Sequence, residues 1–215
     1  MERVLGEIVA ASRRELALRK TAVPAAELER KLDGLPPVRD FRAALTAPGM
    51  QVIAELKAAS PSKGIIRQPL EVEALAVELE RSGAAALSVL TERNYFLGGL
   101  ENLERARKVV ELPLLRKDFI YDEYQILEAR AAGADAVLLI AAMLVPAEYR
   151  RLQKFAESLG LAVLSEAHTA GEIAMLLDNG ASIVGVNARN LSTFATDLGV
   201  VAELMGRIPA DKVRV

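Results

Sequence analysis

From residue 52 onward, short apolar runs return at intervals of about 21 to 35 residues with longer amphipathic stretches between them, and this beat constrains the fold more than any other feature of the chain. The runs are VIAEL at 52–56, AALSVL at 85–90, LPLLRK at 112–117, DAVLLI at 135–140, LAVLSE at 161–166 and SIVGVN at 182–187, and a seventh, KVRV, starts at 212. Most are continuously apolar and rich in Val, Leu and Ile, which suits parallel strands covered on both faces; strands with one wet face alternate more cleanly. The stretches between them, such as LEVEALAVELERSG and PAEYRRLQKFAESLG, space their apolar residues at helical period and carry a Gly near the C-terminal cap. They read as crossover helices.

Repeated strand–helix units leave two architectures, a doubly wound sheet or an eight-stranded barrel. A dinucleotide-binding sheet would carry G-x-G-x-x-G after its first strand, whereas KAASPSKG follows VIAEL, so the barrel is preferred. The expectation is a single α/β domain over residues 1–215 of the (β/α)8 TIM-barrel class, with six to seven βα units. Residues 51–215 would supply strands one to seven, and residues 1–50 an N-terminal helical extension covering the barrel. Helices are expected at about 2–20 and 24–32, followed by a stretch containing Pro36, Pro37 and Pro48.

Composition narrows the function classes. A formal charge of −2 and a pI near 5.7 give no broad positive field, so nucleic acid is not an expected partner. No apolar run reaches the roughly 18 residues of a membrane span. The opening MERVLGEIVAASRREL lacks the apolar core of a secretory signal, which predicts a cytoplasmic protein. The absence of cysteine removes disulfides, thiolate metal sites and a cysteine nucleophile. His168 is the only histidine and no G-x-S-x-G elbow accompanies it, so neither a metal site nor a hydrolase triad is expected.

In a parallel barrel the chemistry sits at the C-terminal strand ends, and side chains two apart on a strand share a face. That rule groups Ile53, Glu55 and Lys57; Leu115, Lys117 and Phe119; Ala162, Leu164 and Glu166; and Ile183, Gly185 and Asn187. Most of these sets carry a polar group at or next to the strand end. If these faces point inward, two lysines, two carboxylates and an amide meet at one mouth. They would form either a structural layer of ion pairs or acid–base machinery, because crowding and desolvation bring ammonium and carboxyl groups into proton exchange near neutral pH. A third possibility is an aldolase-type barrel in which Lys117 or Lys57 attacks a carbonyl to form a Schiff base.

Five strings in order and spacing, VIAELKAASPSKGIIR, LSVLTERNYFLGGLENL, LPLLRKDFIYDEYQI, LSEAHT and VGVNARNL, resemble the signatures of indole-3-glycerol phosphate synthases. The likeness runs from about residue 1 to the last residue. It implies ring closure of 1-(2-carboxyphenylamino)-1-deoxyribulose 5-phosphate with loss of carbon dioxide and water, a small phosphorylated substrate, and no cofactor or metal. By motif position, Lys117 would be the general acid, Lys57 an anchor for the substrate's acidic groups and a second proton donor, and Glu166 the general base. Glu55 and Asn187 would orient the lysines and the hydroxyl. Ser60 and Arg189 would touch substrate, and Pro61, Phe96, Phe119, Leu138 and Leu191 would form the slot for its aromatic ring. The loop Ser60, Pro61, Ser62, Lys63 and Gly64 would be a lid. Small departures occur: Ser165 and Ala167 stand where the family often has Val, and Gly99 where Ser is usual.

Family members continue with a Glu-Ser-Gly turn after strand seven and a Gly-Ser phosphate loop on strand eight, whereas this chain ends at Val213, Arg214 and Val215. The accompanying expectations are a barrel lacking strand eight, weak or absent turnover, and self-association through open strand edges. A non-catalytic, self-associating barrel fragment is the alternative of different class.

Overall fold

The computed structural model of the chain describes residues 2–188 and 198–215. Three helices come first: α1 (Glu2–Ala22), α2 (Ala25–Leu32) and α3 (Phe41–Thr46). Strand β1 (Ile53–Leu56) leads into a small antiparallel hairpin, β2 (Ala59–Ser60) with β3 (Gly64–Ile65). Strand–helix units then follow: α4 (Val72–Arg81), β4 (Ala86–Leu90), α5 (Leu100–Arg107), β5 (Leu114–Lys117), α6 (Glu123–Ala131) and β6 (Ala136–Ile140). After a 3₁₀ turn (Ala141–Met143) come α7 (Pro146–Ser158), β7 (Ala162–Ala167), α8 (Ala170–Asp178), β8 (Ile183–Val186), α9 (Leu198–Met205) and β9 (Val213–Arg214).

Seven of these strands form one parallel sheet in the order β1-β4-β5-β6-β7-β8-β9, curled as a TIM-barrel sheet is, and each corresponds to one of the seven apolar runs. The hairpin and α3 were not legible as elements: the first lies in the expected lid, the second in the proline-containing stretch. α3 starts because the Asp40 side chain accepts from Ala43 N at 2.8 Å, a local cap that a short polar segment displays weakly. At the far ends of α4 and α7, Gly83 (φ 90°) and Gly160 (φ 79°) take the left-handed turn that the -SG and -LG endings announce.

The strand alternation sorts side chains into two cores. Val137, Leu139, Val163 and Val184 face outward into the layer shared with the helices. Ala136, Leu138, Ile140, Leu164 and Ile183 face inward. Phe41 of α3, almost wholly buried, packs with Ala86, Ala136, Ile183 and Val213, the first residues of four strands, and so plugs the N-terminal end of the curl. Its opposite end stays open for chemistry. No helix among the described residues is long and apolar enough to cross a membrane.

Asp135, buried ahead of β6, ties four chain segments together. Its carboxylate accepts from Arg39 N (2.7 Å), Leu114 N (2.8 Å) and Arg107 Nη1 (2.8 and 3.0 Å). Asp135→Ala strands two buried amides and a guanidinium, and is expected to lower unfolding stability by about 3 kcal/mol. Urea titration checks this, and a loss below about 1 kcal/mol contradicts the assignment.

Candidate active site

A cavity of about 550 Å3 opens at the C-terminal strand ends, within the range of sites that enclose a small molecule. Its floor is the inward face of the sheet: Ile53, Ser88, Leu115, Leu138, Leu164 and Gly185. Above them stand Glu55, Lys57, Lys117, Glu166 and Asn187, delivered by β1, β5, β7 and the residues just after β1 and β8. All five polar residues expected at the mouth line this one cavity, as do Ser60, Pro61, Phe96, Phe119 and Leu138. Arg189 and Leu191 lie outside the described residues.

The charges fall into two pairs of different exposure. Lys57 Nζ donates to Glu55 Oε1, with both side chains about 30% exposed. Across the cavity Lys117 Nζ donates to Glu166 Oε2 at 3.2 Å, and Asn187 Nδ2 donates to Glu166 Oε1 at 3.0 Å. Glu166 is the more enclosed partner, its side chain 13% exposed against 28% for Lys117. Burial pushes its carboxyl up, but the Lys117 ammonium, the Asn187 amide and His168 together outweigh burial and hold it below the ordinary carboxylate value. Glu166 is therefore anionic at neutral pH, within reach of an ammonium and open to the cavity: a proton acceptor beside a proton donor.

Strand register explains how residues far apart in sequence meet. Leu90 pairs with Lys117, Ile140 with Glu166, and Glu166 with Gly185. Gly185 matters by what it lacks, since a Cβ there would press to 3.3 Å from Leu164 in the cavity floor. Phe96 and Phe119 form an aromatic wall, ring centroids 6.2 Å apart and tilted by 46°.

Several supports were not foreseen. The buried Glu92 carboxylate accepts from Asn94 N (3.0 Å), Tyr95 N (2.7 Å) and Phe96 N (3.0 Å), folding the loop that presents Phe96. Gly98 must approach Leu90 O so closely that a Cβ would sit 2.2 Å away. Asp118 accepts from Phe119 N (2.8 Å) and Thr91 Oγ1 (2.6 Å), fixing the opposite half of the wall. The hairpin joins this frame through Ala59 N, which donates to Phe96 O at 3.2 Å. From α1, Ile8 reaches the cavity. The signal for Glu92 and Asp118 is an acid one or two residues beyond a strand end, in LTER and RKD, but their partners, backbone amides and for Asp118 also the Thr91 hydroxyl and Arg116, are revealed by no periodicity. Ser165, one of the departures, faces outward, is fully buried, and shares a 2.7 Å hydrogen bond with Tyr149 OH.

Against known proteins, the indole-3-glycerol phosphate synthase family model matches residues 5–215. The chain is 49% identical to the indole-3-glycerol phosphate synthase of Koribacter versatilis (strain Ellin345) across all of this chain and 84% of that protein. It is 44% identical to the synthase of Aromatoleum aromaticum (strain DSM 19018 / LMG 30748 / EbN1), with the same coverage. Among solved structures, the N-acetylmannosamine-6-phosphate 2-epimerase of Clostridium perfringens superposes with a TM-score of 0.60 at 14% identity, covering 82% of this chain and 80% of that one. That likeness concerns the fold alone.

The depressed Glu166 carboxyl has a consequence for stability. Because the folded state holds this proton less tightly than the unfolded chain, the group adds stability above the unfolded value near 4.5, and that stability is lost as pH falls through the folded value. Glu166→Gln is expected to flatten the acid side of the stability–pH curve below about pH 4.5. Denaturant titrations at stepped pH check this; parallel curves for the two proteins contradict it.

Proposed function

We infer the chemistry from one premise: the chain belongs to the indole-3-glycerol phosphate synthase family. Its activity is the synthesis of indole-3-glycerol phosphate in tryptophan biosynthesis, a carboxy-lyase reaction on a small phosphorylated substrate. The substrate is 1-(2-carboxyphenylamino)-1-deoxyribulose 5-phosphate. A new bond joins the aromatic carbon to the ribulose carbonyl carbon, carbon dioxide departs, and water is lost.

Each step asks for a group that the cavity holds. As the ring carbon attacks, negative charge develops on the carbonyl oxygen, and Lys117 protonates it to a hydroxyl. Loss of carbon dioxide returns its bonding pair to the ring system. Dehydration then needs a donor for the leaving hydroxyl and an acceptor for the proton given up by the carbon–nitrogen skeleton. Lys57 serves as donor and Glu166 as base, with Glu55 holding the Lys57 ammonium and Asn187 holding the Glu166 carboxylate. General acid–base groups of this kind contribute on the order of 10² to 10⁴ in rate.

Binding divides along the same lines. Phe96, Phe119, Pro61 and Leu138 offer flat apolar contact to the anthranilate-derived ring. Ser60 from the hairpin contacts the polar end, and the Ser60 to Gly64 segment closes over the cavity. The single observation that carries this reading is the convergence of Lys117, Glu166 and Asn187 from three strands, within hydrogen-bond distance, at the edge of a cavity that also holds an aromatic wall.

Incubation of the protein with the ribulotide, followed by indole fluorescence and carbon dioxide release, tests it. Weak product formation is expected, and its complete absence under conditions where a family member is active rejects the reading. Lys117→Ala and Glu166→Gln are each expected to lower kcat by about 10² or more, whereas Phe119→Ala acts mainly on KM. Borohydride in the presence of substrate should trap no adduct; a reduced adduct on Lys117 or Lys57 would favour Schiff-base chemistry instead.

A further inference from the structure

His168 follows β7 two residues beyond Glu166 and so shares its side of the strand, yet it is not part of the cavity lining. It sits behind the carboxylate. Its Nε2 lies 3.6 Å from Glu166 Oε1 and its Nδ1 lies 3.6 Å from Glu172 Oε2, with the side chain only 9% exposed. Among the described residues neither ring nitrogen has a hydrogen-bond partner, and both are sealed from solvent. A buried imidazole with both nitrogens unsatisfied, each aimed at a carboxylate just beyond bonding distance, is costly as a mere filler. It is well placed to tighten onto either acid when one of them changes charge.

The surroundings are built to keep it there. His168 N donates to Glu172 Oε2 at 2.7 Å, and Thr169 caps α8 by accepting from Glu172 N at 3.2 Å. Glu172 thus stands in the first turn of α8, where the helix dipole favours a negative charge. Burial pushes its carboxyl up, but the His168 ring and backbone amide and the Thr169 contact prevail and hold it below its ordinary value. Among the described residues, the other groups facing Glu166 are Lys117 from β5 and Asn187 beyond β8. The 3₁₀ turn Ala141–Met143, which packs on both β7 and α8, contributes no charge.

We propose that His168 is a positioning residue for the general-base carboxylate, held from behind by Glu172 in a carboxylate–imidazole–carboxylate bridge that orients Glu166 and keeps it anionic between turnovers. This rests on the assignment of Glu166 as base. Lys117, which donates to Glu166 from across the cavity, is spent as an acid during the reaction, and at that moment the imidazole behind the carboxylate still holds it in place. The bridge also leaves the cavity face of Glu166 free for substrate.

The test is the pH dependence of kcat in His168→Gln and Glu172→Gln. His168→Gln is expected to lower kcat about ten-fold with KM within about two-fold, and to move the acid limb of the kcat profile upward by about half a pH unit or more. Glu172→Gln, altered on the outer side of the bridge, is expected to move the limb less and in the same direction. An acid limb unmoved in both variants overturns the proposal, whatever happens to the absolute rate; if His168→Gln fails to fold, Glu172→Gln decides alone. Because His168 is the only histidine, its ring carbon-bound proton resonances read the bridge without any assay of activity. They are expected to shift in both Glu166→Gln and Glu172→Gln, and invariance in either overturns the bridge. A wild-type protein that makes no product would instead reject the synthase reading while those resonances still report on His168.

Discussion

A carboxylate removed from most of its water must be matched by charge and hydrogen bonds, or it takes up a proton and ceases to be a base. Glu166 meets that demand with neighbours brought from separate places: an ammonium from β5, an amide from the end of β8, and an imidazole two residues on. None of these is local in sequence except the last. The parallel register that sets Glu166 opposite both Ile140 and Gly185 is therefore what makes its ionisation possible, and the apolar inner face of the sheet is what makes that ionisation consequential.

Behind β5 the same constraint operates on the outward side. Lys117 points into the cavity, while Arg116 points away and is almost fully buried, hydrogen-bonded to Thr91 Oγ1 (3.1 Å), Gln125 O (2.5 Å) and Asp118 Oδ2 (2.9 Å). Glu128, near Arg116 at 3.4 Å, is also gripped by Arg19 of α1 at 2.6 Å. One buried network thus links the docking of the N-terminal helix to the strand end that carries Lys117. Tyr124 OH adds to the anchor by donating to Val23 O at 2.7 Å. Because Asp118 also lines the cavity and holds Phe119 N, losing this network would loosen both the strand end that carries Lys117 and the aromatic wall beside it.

What the sequence made legible follows from what is periodic. Strands and their inward faces could be assigned because alternation is a property of the backbone, and so Glu55, Lys57, Lys117, Glu166 and Asn187 could be grouped before any coordinates. What stayed hidden depends on contacts between non-neighbours. Glu92 binds backbone amides, α3 exists because Phe41 finds the gap left by Ala86 and Ala136, and the β2–β3 hairpin is two residue pairs long, too short to leave a pattern. A lone histidine argues against a metal site, yet it is no objection to a bridge between two acids.

The competing view of the charged ring, as a polar plug that merely finishes the barrel, can be weighed physically. A plug stabilises by filling, and its ion pairs would close over one another to exclude water. Here the two pairs border a cavity of about 550 Å3, and the better shielded of them turns its carboxylate toward that space. Buried ion pairs are poor stabilisers compared with apolar packing of equal volume, so a fold that needed only closure would gain more from the leucines and valines already used a layer below. A carboxylate and an ammonium at the rim of an aromatic-walled cavity suit a space that takes up a small molecule with both polar and flat apolar parts. The plug that does exist is Phe41, at the other end of the sheet, packed among apolar side chains of the inner layer.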